Sequence, residues 1–164
     1  MKKKKLTDLK RVLIVDDDQD IRLALRALLR DAGYEMVGDA AEGTRALELM
    51  EKHKPRLVML DIVMPGISGL EVLSKIKKDY PLTQVVMISG DATSGHVKKA
   101  MELGASGFIV KPFNFNNVIK NIERALLDAK VAVKTIKAEK PAKGLLEQNQ
   151  QNPEPQPDKA RSLR

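Results

Sequence analysis

The apolar positions of this chain alternate between two rhythms. Short, nearly continuous apolar runs occur at Val12-Leu13-Ile14-Val15, Leu57-Val58-Met59-Leu60, Gln84-Val85-Val86-Met87-Ile88-Ser89 and Phe108-Ile109-Val110-Lys111-Pro112, with a weaker one around Glu35 to Gly38. Runs of this length, bounded by turn residues and not strictly alternating, predict strands buried on both faces. Between them the apolar residues recur at helical spacing: Ile21, Leu25, Leu28, Leu29 and Ala32; Leu47 and Met50 between Thr44 and His53; Leu70, Leu73 and Ile76; Val97, Met101 and Leu103; and Val118, Ile122, Ala125 and Leu126. Gly33, Pro55 and Gly104 fall where helices should stop. Strand and helix alternate five times, which predicts an α/β fold: a doubly wound, five-stranded parallel sheet with five helices.

This pattern occupies residues 10–129. Ala129, Val133 and Ile136 keep the spacing of the fifth helix, so residues 130–140 are expected to extend it until Pro141 ends it. Residues 141–164 are rich in Pro, Gln, Asn and charge, a composition expected to be a disordered tail, and residues 1–9 form a basic N-terminal tail.

Charge alters the picture once it is divided along the chain. The 164 residues carry a net +7. Residues 6–129 hold 17 basic against 18 acidic side chains, whereas the two ends hold 12 against 4, so the basicity belongs to the tails. With two Tyr, three Phe and no Trp, the domain lacks the aromatic platforms of a nucleic-acid reader, and a nucleic-acid partner is not expected. The absence of cysteine excludes disulfides and zinc–cysteine sites. No apolar stretch approaches the roughly 18 residues that span a bilayer, so membrane insertion is not expected and a cytoplasmic location is.

The chemistry lies where the strands end. Asp61 closes one apolar run and Asp16-Asp17-Asp18 follow another. In open α/β sheets, ligands bind at the carboxyl ends of the strands, and carboxylates gathered there repel one another unless a cation or proton lies between them. A helix cap explains one of these acids; it explains neither three in a row nor Asp61. Ser89 and Lys111 end the fourth and fifth strands in the same way. His53 and His96 fall on separate helices and add no site, and neither a hydrolase nucleophile elbow nor a phosphate-binding P-loop is present, so direct use of ATP is not expected.

Val15-Asp16-Asp17, Asp61-Ile62-Val63-Met64-Pro65-Gly66, Ser89-Gly90 and Gly104-Ala105-Ser106-Gly107-Phe108-Ile109-Val110-Lys111-Pro112-Phe113 together resemble the receiver domain of two-component response regulators, in a stand-alone form like the chemotaxis regulators. The resemblance implies a flavodoxin-like receiver fold and a phosphoacceptor signalling protein with self-catalysed phosphotransfer and autodephosphorylation. It implies Asp61 as phosphoacceptor. It implies Mg²⁺ held directly by Asp17, Asp61 and the Val63 backbone carbonyl, and through water by Asp16. Lys111 would pair with the phosphoryl group, the Lys111–Pro112 bond would be cis, and Ser89 would donate its hydroxyl to the phosphoryl group. Phe108 holds the aromatic switch position, with plain core packing as the competing reading. Val63 and Asp91 would set the phosphoryl lifetime.

The implied partners are a sensor histidine kinase or histidine phosphotransfer protein as donor, and an output protein contacting the face of helix 4, strand 5 and helix 5. Two other functions stay open: a receiver-fold adaptor whose basic tails bind nucleic acid or an acidic partner, and a constitutive interaction module without phosphorylation.

Overall fold

The structure, a computed structural model, describes residues 10–139, with side chains as far as residue 130. Five strands, β1 (Arg11–Val15), β2 (Glu35–Ala40), β3 (Leu57–Asp61), β4 (Gln84–Ser89) and β5 (Gly107–Val110), form one sheet in the order β2-β1-β3-β4-β5. All neighbours are parallel. Helices α1 (Gln19–Asp31), α2 (Gly43–His53), α3 (Gly69–Asp79), α4 (Ser94–Glu102) and α5 (Phe115–Glu139) alternate with them. The predicted doubly wound sheet is the observed one. The N-terminal tail and the tail from residue 141 lie outside the described residues. Among the described residues no helix is long and apolar enough to cross a membrane.

Alternation along each strand explains the two layers. On β1, Leu13 and Val15 join Val58, Leu60, Val85 and Met87 in a core closed by Leu49, Met50, Val72, Leu73 and Ile76 from α2 and α3. Val12 and Ile14 join Leu57, Met59, Val86 and Ile88 against Leu25 and Leu29 of α1 and Val118, Ile122 and Ala125 of α5. Successive strand residues face opposite sides of the sheet, so an apolar run with no polar face is what covering both faces requires.

Three local differences from the sequence pattern have physical causes. β2 runs to Ala40 and does not stop near Gly38. Its register slips where Val12 pairs with Met36 and Leu13 with Gly38, leaving Val37 as the extra residue of a bulge. A Cβ on Gly38 would lie only 3.3 Å from Leu49, so this glycine admits α2 to the sheet and is not a turn. In α4 the one buried residue is Ala100, which joins the core beside α3, while Met101 is 50% exposed on the outer side of this short helix. Ala32 is the exposed C-cap residue of α1 and lies off its apolar face.

Helix starts fix the carboxyl edge of the sheet. Asp18 caps α1, accepting from the backbone N–H of Asp20 at 2.8 Å and Ile21 at 3.3 Å. Ser68 and Glu71 form a reciprocal capping box at α3. Gly69, the first residue of α3, packs so closely against the end of β3 that a Cβ would overlap the Asp61 carbonyl oxygen.

Candidate functional site

β1 and β3 are neighbours, with Val15 beside Leu60, while the chain leaves β1 for β2 on the opposite side. The strand order therefore reverses at the carboxyl ends of β1 and β3, where doubly wound sheets have their crevice. Asp16 follows β1 and Asp61 closes β3, so the topology alone brings these carboxylates together. Asp16 is 1% and Asp61 4% exposed. Asp17 is exposed at the rim, and one oxygen from each of Asp16, Asp17 and Asp61 lies within 4.8 Å of the others.

Lys111, just beyond β5, reaches into this cluster. Its backbone N–H donates to the Ser89 carbonyl at 2.8 Å, extending the β4–β5 pairing by one step, and the Lys111–Pro112 bond is cis. Lys111 Nζ donates to Asp61 Oδ2 at 3.1 Å and lies 2.7 Å from Asp16 Oδ2. The second contact is close but poorly directed: Asp16 Oδ2 is buried without an aligned hydrogen-bond donor. The other Asp16 oxygen accepts from the Asp18 N–H at 2.9 Å.

Electrostatics follow from this arrangement. Burial, and then the neighbouring Asp16, push the Asp61 carboxyl above its ordinary range, against the pull of Lys111 and of the Val63 N–H. Burial pulls the Lys111 ammonium down, but the two carboxylates outweigh it and hold its pKa above the usual lysine value. Three carboxylates meet one ammonium, so the ionised cluster is short of two positive charges. Its donors are all hard oxygens, one of them buried without an aligned donor. Mg²⁺ fits such a site: it is divalent, takes oxygen ligands and keeps some of its waters.

The remaining positions named from the sequence lie on β4, β5 and the loops that follow β3 and β4. Val63 is 60% exposed on the loop after Asp61, and its N–H lies 3.4 Å from Asp61 Oδ1. Ser89 is fully buried, and its hydroxyl is turned to the next loop: it donates to the Asp91 carbonyl at 3.2 Å and accepts from the Asp91 N–H at 3.1 Å. Phe108 is partly buried and packs on the core beneath α4 and α3. The exposed Asp91 accepts from the Thr93 N–H at 3.2 Å.

Sequence reasoning missed three residues. His96, set aside because the two histidines fall on separate helices, has its Nδ1 3.3 Å from Asp91 Oδ2; the spacing of five residues across a strand-to-helix loop could have suggested it. Arg22 and Asp39 form an ion pair behind the acidic turn, with Nε and Oδ2 3.0 Å apart. No local signal pairs residues of α1 and β2.

A parallel sheet of this order, with an acid and lysine cluster at its switch point, is the architecture of receiver domains. Residues 12–123 match the response regulator receiver domain. The transcriptional regulatory protein PdtaR of Mycobacterium tuberculosis (strain ATCC 25618 / H37Rv) is 36% identical over 151 residues, covering 84% of this chain and 73% of that protein. Chemotaxis protein CheY of Listeria monocytogenes is 37% identical, covering 70% of this chain and 97% of its own. Among solved structures, a CheY-like response regulator receiver domain protein from Methanospirillum hungatei JF-1 is similar with a TM-score of 0.72 and 31% identity, over 76% of this chain and 98% of that one.

The chain belongs to the response regulator receiver domain family. Its members are signalling proteins of two-component systems, which interact with histidine kinases and output proteins.

Proposed function

We propose that this chain is a phosphorylation switch in which Asp61 accepts a phosphoryl group from a phosphohistidine, or from a small acyl phosphate, and the change at Asp61 alters a protein-binding surface. In the transfer an Asp61 carboxylate oxygen bonds to phosphorus as the donor's bond to phosphorus breaks: phosphorus–nitrogen in phosphohistidine, where the leaving imidazole keeps the electron pair, or phosphorus–oxygen in an acyl phosphate, where the leaving carboxylate keeps it. The observation that carries the reading is Lys111 Nζ lying within 3.1 Å of both Asp61 and Asp16 at the switch point. A carboxylate approaching an anionic phosphoryl group needs its charge neutralised, and a preorganised ammonium supplies part of that without reorganisation.

Asp17, Asp61 and the Val63 carbonyl would hold Mg²⁺ directly, with Asp16 acting through water. The bound cation supplies the positive charge that lets carboxylate and phosphoryl oxygens share one site. Lys111 would exchange a carboxylate partner for a phosphoryl oxygen.

Ser89 would leave its two bonds to the Asp91 backbone and donate to the phosphoryl group, drawing the loop before α4 inward, with Phe108 following on the core side. The output surface would be that of α4, β5 and α5, where Met101, Val110 and Phe115 are apolar side chains 47–60% exposed. Val63 and Asp91, both exposed on the loops that follow β3 and β4, would govern access of water to the acyl phosphate and so its lifetime.

Intact mass after incubation with acetyl phosphate tests the reading. One phosphoryl group should be gained with Mg²⁺ and lost with chelator or in Asp61→Ala. No gain, in protein shown to be folded and to bind Mg²⁺, would leave a constitutive interaction module as the better description.

A further inference from the structure

Behind the acidic turn lies an arginine that the proposed chemistry does not use. Arg22, in the first turns of α1, donates through Nη1 to the Asp16 carbonyl at 2.8 Å and to the Asp17 carbonyl at 3.2 Å. Its Nε donates to Asp39 Oδ2 at 3.0 Å, and Arg26 takes the other Asp39 oxygen. Arg22 is only 17% exposed in its side chain. The Asp16 N–H donates to the Ala40 carbonyl at 3.0 Å, so the turn is tied to β2 twice, once by backbone and once through Arg22 and Asp39.

This anchoring answers a specific difficulty. Oxygens of Asp16, Asp17 and Asp61 are held within 4.8 Å of one another, and like charges at that distance favour splaying the turn open. Asp16 and Asp61 are fixed at buried strand ends, but Asp17 is exposed and has only its backbone to restrain it. A guanidinium bonded to two successive carbonyls pins that backbone at the two residues concerned. A planar fork can serve three acceptors at once, and a lysine ammonium cannot match that geometry.

We propose that Arg22, anchored by Asp39 and Arg26, is a positioning residue that preorganises Asp16 and Asp17 for a divalent cation. The inference rests on reading the acid cluster as a Mg²⁺ site. Residues that orient metal ligands without touching the metal typically change affinity about 10–100-fold when altered.

Charge and positioning predict opposite signs for one substitution. Arg22→Gln removes a positive charge near the cation, so electrostatics alone predicts tighter Mg²⁺ binding, whereas loss of positioning predicts weaker binding. Calorimetric titration of Mg²⁺ into wild type, Arg22→Gln, Arg22→Lys and Asp39→Ala, each first shown by circular dichroism to be folded, separates them. The expected result is roughly tenfold or greater weakening in Arg22→Gln, a smaller loss in Arg22→Lys, which keeps the charge and can reach one carbonyl, and a loss in Asp39→Ala, which frees the arginine from its anchor. Should Arg22→Gln fail to fold, Arg22→Lys, which changes the positioning at constant charge, carries the test. Wild-type binding with equal or tighter binding in the folded variants overturns the inference and leaves the Mg²⁺ site standing. No Mg²⁺ binding by folded wild type overturns both.

Discussion

Lys111 and Asp61, 50 positions apart in the chain, meet with Nζ 3.1 Å from Oδ2, and the same ammonium lies 2.7 Å from Asp16. One cation thus holds two buried carboxylates that would otherwise face each other. Lys111→Met should destabilise the metal-free protein by about 3 kcal/mol or more, the cost of leaving buried charges without their partner. Chemical denaturation measures this, and Mg²⁺ should restore part of the loss.

Neutralising Asp61 should act in the other direction. Burial and Asp16 disfavour its ionised form, so Asp61→Asn removes a repelled charge and leaves Lys111 with Asp16. At neutral pH without Mg²⁺, Asp61→Asn should raise stability by on the order of 1 kcal/mol, read as a higher denaturation midpoint. It should also abolish phosphoryl gain.

Gly69 should tolerate no side chain. A Cβ there would overlap the Asp61 carbonyl oxygen and lie 2.8 Å from Ile62 Cα, and backbone atoms cannot yield as a flexible side chain can. Gly69→Ala should cost at least the upper end of the about 1–3 kcal/mol typical of overpacking. Gly66→Ala meets nothing within 4 Å and bears only the strain of φ +79°, about 1–2 kcal/mol. Urea denaturation of the two variants compares them.

The capping box gives a pH dependence of definite sign. The Ser68 N–H donates to Glu71 Oε2 at 2.9 Å, and this bond, followed by that of the Ser68 hydroxyl, holds the Glu71 carboxyl below its ordinary 4.5. A lowered folded-state pKa means the stabilisation is present above about 4.5 and is lost as pH falls through the folded value. Stability curves of wild type and Glu71→Gln should therefore converge in acid and separate above that range, wild type being the more stable. Parallel curves would contradict the assignment.

Ser89 is held by the Asp91 backbone in both directions, so its hydroxyl must change partners to act at Asp61. Ser89→Ala should still accept phosphate but fail to transmit the change. Backbone NMR shifts at Phe108 and along α4 should then move less on phosphorylation than in wild type.

The carboxyl edge was legible in the sequence because a charged residue interrupting an apolar run can be read locally: Asp16, Asp61, Ser89 and Lys111 each lie at or just past the end of a buried strand, and parallel pairing aligns the ends. The contacts that orient these groups were not legible, since they depend on elements distant in the chain. Arg22 meets Asp39 because β2 runs on past Gly38 beside β1, whereas the apolar pattern alone ends that strand near Gly38. The burial of Ala100 in place of Met101 depends on which side of α4 meets the rest of the fold, which the spacing of Val97, Met101 and Leu103 does not reveal. Nor does residue type tell which partner a buried hydroxyl will take, as Ser89 illustrates.

The most direct test of the proposed switch is to locate the phosphoryl group by chemistry specific to an acyl phosphate. Protein treated with acetyl phosphate and Mg²⁺ would be reduced with borohydride, which converts an aspartyl phosphate to the alcohol and leaves free carboxylates intact, and then mapped by peptide mass spectrometry. Reduction at Asp61 alone, dependent on Mg²⁺ and diminished in Lys111→Met, is the predicted result. Reduction at another carboxylate, or none in protein that binds Mg²⁺, would contradict Asp61 as the acceptor.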